Sequence, residues 1–211
     1  MNRRAMTKTY RALTALLVPL ALPFALTACG DAANPPAGRP PLEGAAIGGP
    51  FTLVDKDSRP VRWDDFAGKY RIVYFGYSFC PDACPMDLQQ LMQGFAAFEK
   101  AKPALAAQVQ PIFITIDPAR DTPQIVGEFT AAFSPRLLGL TGSQAQIDDV
   151  ARTFSAYHAK GKDTPGGYLM DHSRVAYLMG RKGEPIAMLP VEMQGLEGAQ
   201  AVATELAKWV K

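Results

Sequence analysis

The stretch Ile72-Val73-Tyr74-Phe75-Gly76-Tyr77-Ser78-Phe79-Cys80-Pro81-Asp82-Ala83-Cys84-Pro85 decides the fold. Its first six residues are uncharged and mostly apolar or aromatic, the pattern of a central strand buried on both faces. Ser78, Asp82 and two prolines then break the run. From residue 86 to about 102 the period becomes helical, with Leu88, Leu91, Met92, Phe95 and Phe98 available for one face. A buried strand that turns a corner into an amphipathic helix is the opening of a βαβ unit. Two cysteines stand on the corner.

Upstream, Phe51-Thr52-Leu53-Val54 reads as a strand, 55–58 as a turn and 61–63 as the returning hairpin arm. Asp64-Asp65-Phe66 opens a single helical turn. Downstream, 109–116 is a second central strand. Thr122 or Pro123 starts a helix to about residue 133, with Ile125, Val126 and Phe129 inward; proline in the first turn forfeits only an N–H that has no intrahelical partner. Residues 137–140 form a short strand, and Ser143 caps a helix to about 154. Residues 160–167 read as a polar, Gly-rich loop leading through Tyr168-Leu169-Met170 into Asp171-His172-Ser173. A strand at 175–179, a hairpin turn at 181–184 and a return strand at 185–189 follow. An amphipathic helix from 196 to the C-terminus carries Ala199, Val202, Leu206 and Val210 on or near one face. The expected class is α/β: a thioredoxin-like fold with a mixed central sheet, helices on both faces and an N-terminal β-hairpin extension.

The first 28 residues are set apart. Arg3, Arg4, Lys8 and Arg11 make a basic start, and 19 uncharged residues, 12–30, follow. An apolar run of about 20 residues suits a transmembrane span, but Pro19 and Pro23 interrupt this one. It ends in Leu26-Thr27-Ala28-Cys29, which looks like a bacterial lipobox. The expected organisation is a lipoprotein signal peptide at 1–28, a lipidated Cys29 with a flexible tether to residue 50, and one domain at 51–211. Fifteen of the 21 residues 30–50 are Gly, Pro or Ala, too few apolar groups to offset the entropy of ordering them.

Charge narrows the partners. Removing the four basic residues of 1–28 from the chain's 22 basic and 20 acidic residues leaves a net charge of −2 at pH 7. The basic residues are scattered, with no aromatic-laced stripe, so no nucleic-acid partner is expected.

With Cys29 lipidated, Cys80 and Cys84 remain. A bridge between them closes too short a loop to staple a fold of this size, so the pair is expected to serve chemistry. Pro85 at the first helical position puts Cys84 at the cap, where helix-end N–H groups and the dipole favour a thiolate. Three residues separate the cysteines, against two in thioredoxin-like enzymes; the wider bite lets both sulfurs reach one metal. Disulfide formation stays open, so the sulfurs are also a candidate redox pair. A soft metal such as Cu(I) accepts two sulfurs and one imidazole. Of the two histidines, His172 is the candidate, in a turn just before a strand, with Asp171 placed to orient its other ring nitrogen. His158, near a helix end, is expected on the surface. Met86 and Met170 flank the candidate ligands, although most methionines here fall in gap-filling positions. The polar loop Asp117-Pro118-Ala119-Arg120-Asp121-Thr122-Pro123 can rim the site, as can Asp82, or simply cap the next helix.

Cys80-Pro81-Asp82-Ala83-Cys84-Pro85, the loop 117–123 and Tyr168-Leu169-Met170-Asp171-His172-Ser173, in that order, resemble the Sco/SenC/PrrC family of copper proteins from about residue 51 to the C-terminus. The resemblance implies that Cys80, Cys84 and His172 are copper ligands, for Cu(I) and for Cu(II) as a further form. It implies a membrane-anchored, periplasmic protein that helps to assemble the dinuclear copper centre of cytochrome c oxidase subunit II, by delivering copper, by reducing target cysteines, or both. Subunit II or another copper-receiving protein would be the partner, with a copper donor or a thioredoxin-like reductant upstream. Many relatives use an uncleaved transmembrane helix, whereas this chain carries a lipobox; Gly30 after Cys29 is not the Asp that favours inner-membrane retention. A thiol–disulfide oxidoreductase and a copper or redox sensor without transfer activity are the alternatives.

Overall fold

The computed structural model describes residues 38–193 and 195–211. The expected signal peptide, Cys29 and the start of the expected tether lie outside the described residues. In chain order the strands are β1 (Thr52–Val54), β2 (Pro60–Arg62), β3 (Tyr70–Gly76), β4 (Val109–Thr115), β5 (Leu138–Leu140), β6 (His158–Thr164), β7 (Gly167–His172), β8 (Ala176–Met179) and β9 (Pro185–Leu189). The helices are α1 (Ala83–Ala101), α2 (Pro103–Ala106), α3 (Pro123–Ala131), α4 (Gln144–Thr153) and α5 (Gly195–Trp209), with a 3-10 turn at Trp63–Phe66.

Five strands form the central sheet in the order β5-β4-β3-β8-β9. β3 runs parallel to β4, and β4 parallel to β5, because helices carry the chain back between them. β8 and β9 are a hairpin added antiparallel on the other side of β3. This is the expected thioredoxin-like arrangement. Every residue of β3 is buried, as its apolar run requires. On α1 the anticipated Leu88, Leu91, Met92, Phe95 and Phe98 are all buried, as are Ala199, Val202 and Leu206 on α5 and Val210 just after it. The two helices approach closely at Gly94, where a Cβ would lie 2.6 Å from Ala199 O and from Val202 Cβ. Thr122 caps α3 ahead of Pro123, and Ser143 caps α4 in a capping box with Gln146.

Three expectations need correction. The loop read at 160–167 is largely a hairpin: β6 and β7 pair antiparallel, from His158 opposite His172 to Thr164 opposite Gly167. The ribbon stands outside the central sheet and is largely solvated, so its strands carry no apolar alternation; Gly167, at φ +122°, supplies the left-handed backbone of the reversal. The tether does not run free to residue 50. Leu42 and Ile47 pack on the core, Leu42 N–H donates to Ile186 O (3.0 Å) and Gly48 N–H to Thr153 O (2.8 Å). Two isolated apolar side chains suffice because backbone hydrogen bonds tie down the chain around them. Finally, α1 starts at Ala83, placing Cys84 inside its first turn rather than at the cap.

Candidate metal centre

β3 ends at Gly76, and the loop that follows folds back at once: Cys80 N–H donates to Tyr77 O at 3.3 Å. Asp121 holds the loop down. Its buried carboxylate accepts the Ser78 backbone N–H at 3.0 Å, the Ser78 hydroxyl, and the Thr115 hydroxyl at 2.5 Å. Burial pushes the Asp121 carboxyl up, against the hydrogen bonds from Ser78 and Thr115. The sequence left Asp121 as a candidate helix cap; Thr122 takes that place and Asp121 turns towards the cysteine loop.

Cys80 is half-buried, Cys84 fully buried, and both thiols are free. The Cys84 backbone N–H, in the first turn of α1, donates to Cys80 Sγ at 3.4 Å. The Cys84 thiol donates to the same sulfur, which holds the Cys80 thiol well below the ordinary thiol range; the backbone N–H groups of Cys84 and Asp82 act in the same direction. Cys84 moves the other way, its proton retained by that hydrogen bond and by burial. The shared hydrogen bond therefore favours the thiolate at Cys80 and retains the proton at Cys84.

His172, the last residue of β7, completes the group. Its Nε2 lies 3.2 Å from Cys84 Sγ, and its Nδ1 lies 2.9 Å from Ser173 O. A carbonyl can only accept, so Nδ1 carries the proton in the neutral ring and Nε2 presents its lone pair to the sulfurs. The Tyr77 and His172 rings lie nearly perpendicular, their centres 5.8 Å apart. One ligand atom each from Cys80, Cys84 and His172 fall within 4.8 Å of one another. Two cysteine sulfurs and one bare imidazole nitrogen form a soft donor set, suited to Cu(I).

The remaining candidates divide. Asp117 is buried at the rim and accepts from Tyr168 Oη (2.7 Å) and Arg120 Nε (2.5 Å). Arg120 in turn lies 3.7 Å from the Tyr168 ring centre and 4.9 Å from that of Phe79, which is about half exposed beside Cys80. Asp82 is exposed and its side chain caps nothing; it acts on Cys80 through its backbone N–H. Asp171 does not orient His172. Neighbours on a strand face opposite ways, and its carboxylate lies over Gly161, while the Ser173 carbonyl holds Nδ1. His158 is not on the open surface: it opens β6, half-buried, with Nε2 3.0 Å from Asp148 Oδ1. Met170 packs on the core and Met86 is exposed. Sequence reasoning missed Asp87 and Arg174. A carboxylate on the apolar face of an amphipathic helix, three residues after Cys84, was the available signal.

Solved structures share this fold. A copper-bound structure of Arabidopsis thaliana ScoI matches with a TM-score of 0.69 and 36% identity, covering 77% of this chain and 97% of that one. Copper-bound ScoI of Bradyrhizobium japonicum matches at 0.68 and 34%, covering 78% and 99%. The Arabidopsis mitochondrial SCO1 homolog 1 is 45% identical over 146 residues, 69% of this chain and 41% of that protein. The chain spans about half the length of the curated relatives it matches. The SCO1/SenC family model matches residues 39–210, a range that takes in every strand and helix described above, and the chain therefore belongs to that family.

Proposed function

We propose that the chain carries copper on Cys80 Sγ, Cys84 Sγ and His172 Nε2 and delivers it to the dinuclear copper centre of cytochrome c oxidase subunit II or to another copper-receiving protein. The observation that carries this reading is the convergence of three soft donor atoms within 4.8 Å at a site where Cys80 and His172 remain partly accessible. Loading with Cu(I) replaces the Cys84 proton, which leaves to solvent. Two thiolates and a neutral imidazole then give a site of net charge −1. An incoming thiolate of the receiving protein attacks the metal on its open side and displaces one ligand at a time. Anaerobic Cu(I) titration with X-ray absorption tests the reading: two sulfurs and one nitrogen per copper are expected, and an intact site in the Cys80→Ser, Cys84→Ser and His172→Ala variants overturns it.

A second reading rests on the same sulfurs. With Cys80 a thiolate and Cys84 within reach, the pair can reduce a target disulfide. Cys80 attacks one target sulfur, Cys84 resolves the mixed disulfide, and the target gains the two electrons and two protons that the dithiol loses. Full reductase activity in His172→Ala, with loss in either cysteine variant, favours it.

The lipobox at residues 26–29 supports anchoring by lipid on Cys29 at an extracytoplasmic membrane face, the inner membrane in preference to the outer. No helix among the described residues is long and apolar enough to cross a membrane. Lipid labelling of the parent, absent in Cys29→Ser, tests the anchor.

A further inference from the structure

The sulfurs and the imidazole arrive on different elements. Both cysteines belong to the β3–α1 corner; His172 ends β7, which pairs with β6 and, among the described residues, with no strand of the central sheet. The ladder between β8 and β3 fixes the chain as far as Ala176, opposite Tyr74, and leaves the four-residue path back to His172 to other contacts. Arg174, two residues after His172, donates to Asp87 through two nitrogens: Nε to Oδ2 at 3.0 Å and Nη2 to Oδ1 at 2.5 Å. Asp87 is fully buried on α1, three residues after Cys84. Its Oδ2 also accepts the Tyr74 hydroxyl at 2.9 Å, and that hydroxyl interacts with Cys84 as well. Polar contacts thus run from Arg174 through Asp87 and Tyr74 to Cys84.

A two-pronged guanidinium–carboxylate contact fixes direction as well as distance. Such a pair is weak evidence for a stabilising role, and this one joins the two ligand-bearing elements, Asp87 on α1 and Arg174 two residues after His172. We propose that Asp87 and Arg174 form a latch that sets His172 Nε2 relative to the two sulfurs, making both of them positioning residues for the third ligand. The inference rests on the copper-holding reading of the site.

The test compares the full chain with Arg174→Lys, which keeps the charge but not the fork, and with the double variant Asp87→Asn, Arg174→Gln, which leaves no unpaired buried charge. Two readouts are taken: backbone amide relaxation at residues 172 and 173 without metal, and the sulfur and nitrogen count around Cu(I) with its dissociation constant. The double variant is expected to keep both sulfurs, lose the imidazole from most of the copper and bind about tenfold more weakly, as loss of an outer-shell partner does. Residues 172 and 173 become more mobile, and Arg174→Lys falls between parent and double variant. A folded double variant with the parent's imidazole count and affinity overturns the latch, whatever its mobility. If the double variant does not fold, Arg174→Lys decides by the same count. If the parent itself shows no two-sulfur, one-imidazole copper, the copper reading fails; the metal-free relaxation then judges the latch, and unchanged mobility overturns it.

Discussion

His172 Nε2 lies 3.2 Å from Cys84 Sγ across 88 positions of sequence. The contact has a direction. Nδ1–H donates to the Ser173 carbonyl, so the nitrogen facing the sulfur is the one with a free lone pair. A ring held this way needs no tautomer change to accept a metal.

The ligand set predicts a common loss. Removing an outer-shell partner of a metal ligand already costs about 10–100-fold in affinity. Cys80→Ser, Cys84→Ser and His172→Ala are each expected to weaken Cu(I) binding by about a hundredfold or more, measured by competition with a calibrated chelator. Copper at a hundred times the parent's dissociation constant stabilises the fold by about 2.7 kcal/mol. The three variants, melted at that same copper concentration, are expected to lose most of this gain while unfolding cooperatively without metal.

The two cysteines are expected to alkylate at different rates. Hydrogen bonding from Cys84 holds the Cys80 thiol down, and the same bond with burial pushes Cys84 up. A depressed pKa keeps the thiolate populated as pH falls below the usual thiol value of about 8.5. The stability that this thiolate contributes is present above that value and is lost as pH falls through the depressed one. Iodoacetamide at about pH 6, where an ordinary thiol is nearly all protonated, should label Cys80 first and Cys84 hardly at all, as read by peptide mass spectrometry. Equal labelling of the two would contradict the assignment.

The central elements and the candidate metal ligands were legible because each had a local signal. β3 shows as an apolar run, α1 as a helical period, and Cys80 and Cys84 as a close pair at their junction. His172 was legible as one of two histidines, and the family motif singled it out. The β6–β7 ribbon was not legible, because a solvated hairpin has no buried face to impose alternation. Nor were the contacts that hold the site in place. Asp121 to Ser78 and Asp87 to Arg174 span 43 and 87 positions, and nothing in the local sequence marks them as partners. The role given to Asp171 failed for a related reason: being next in sequence to His172 puts its side chain on the opposite face of the strand.

Asp121 offers a pH-dependent test of the cysteine loop. Burial raises its carboxyl above the usual value of about 3.9. The folded state therefore holds this proton more tightly than the unfolded chain. The stability so contributed is complete below about pH 4 and declines as pH rises through the folded value. In Asp121→Asn, the amide oxygen can still accept from Ser78 N–H and Thr115, and its NH₂ can donate to the Ser78 hydroxyl. Relative to the parent, Asp121→Asn is expected to gain stability between about pH 4 and 7 in urea unfolding. Asp121→Ala leaves those donors unsatisfied and should cost about 1–3 kcal/mol.

Gly94 tests the packing that carries the site helix. A Cβ there would meet Ala199 O and Val202 Cβ at 2.6 Å, closer than real Cβ contacts occur. One of those neighbours is backbone in the middle of α5, so relief requires α5 to move as a body away from α1. Alanine is the better helix former, and an exposed Gly→Ala on a helix would stabilise. Here overpacking of about 1–3 kcal/mol should outweigh that gain. At about 2–4 °C per kcal/mol for a domain of this size, Gly94→Ala is expected to lower the melting temperature by a few degrees to about 10 °C. A melting temperature equal to or above the parent's would mean that α5 sits further from α1 than described. The cysteines lie two to three turns away at the other end of α1, so Cu(I) affinity measured well below the melting transition should be unchanged.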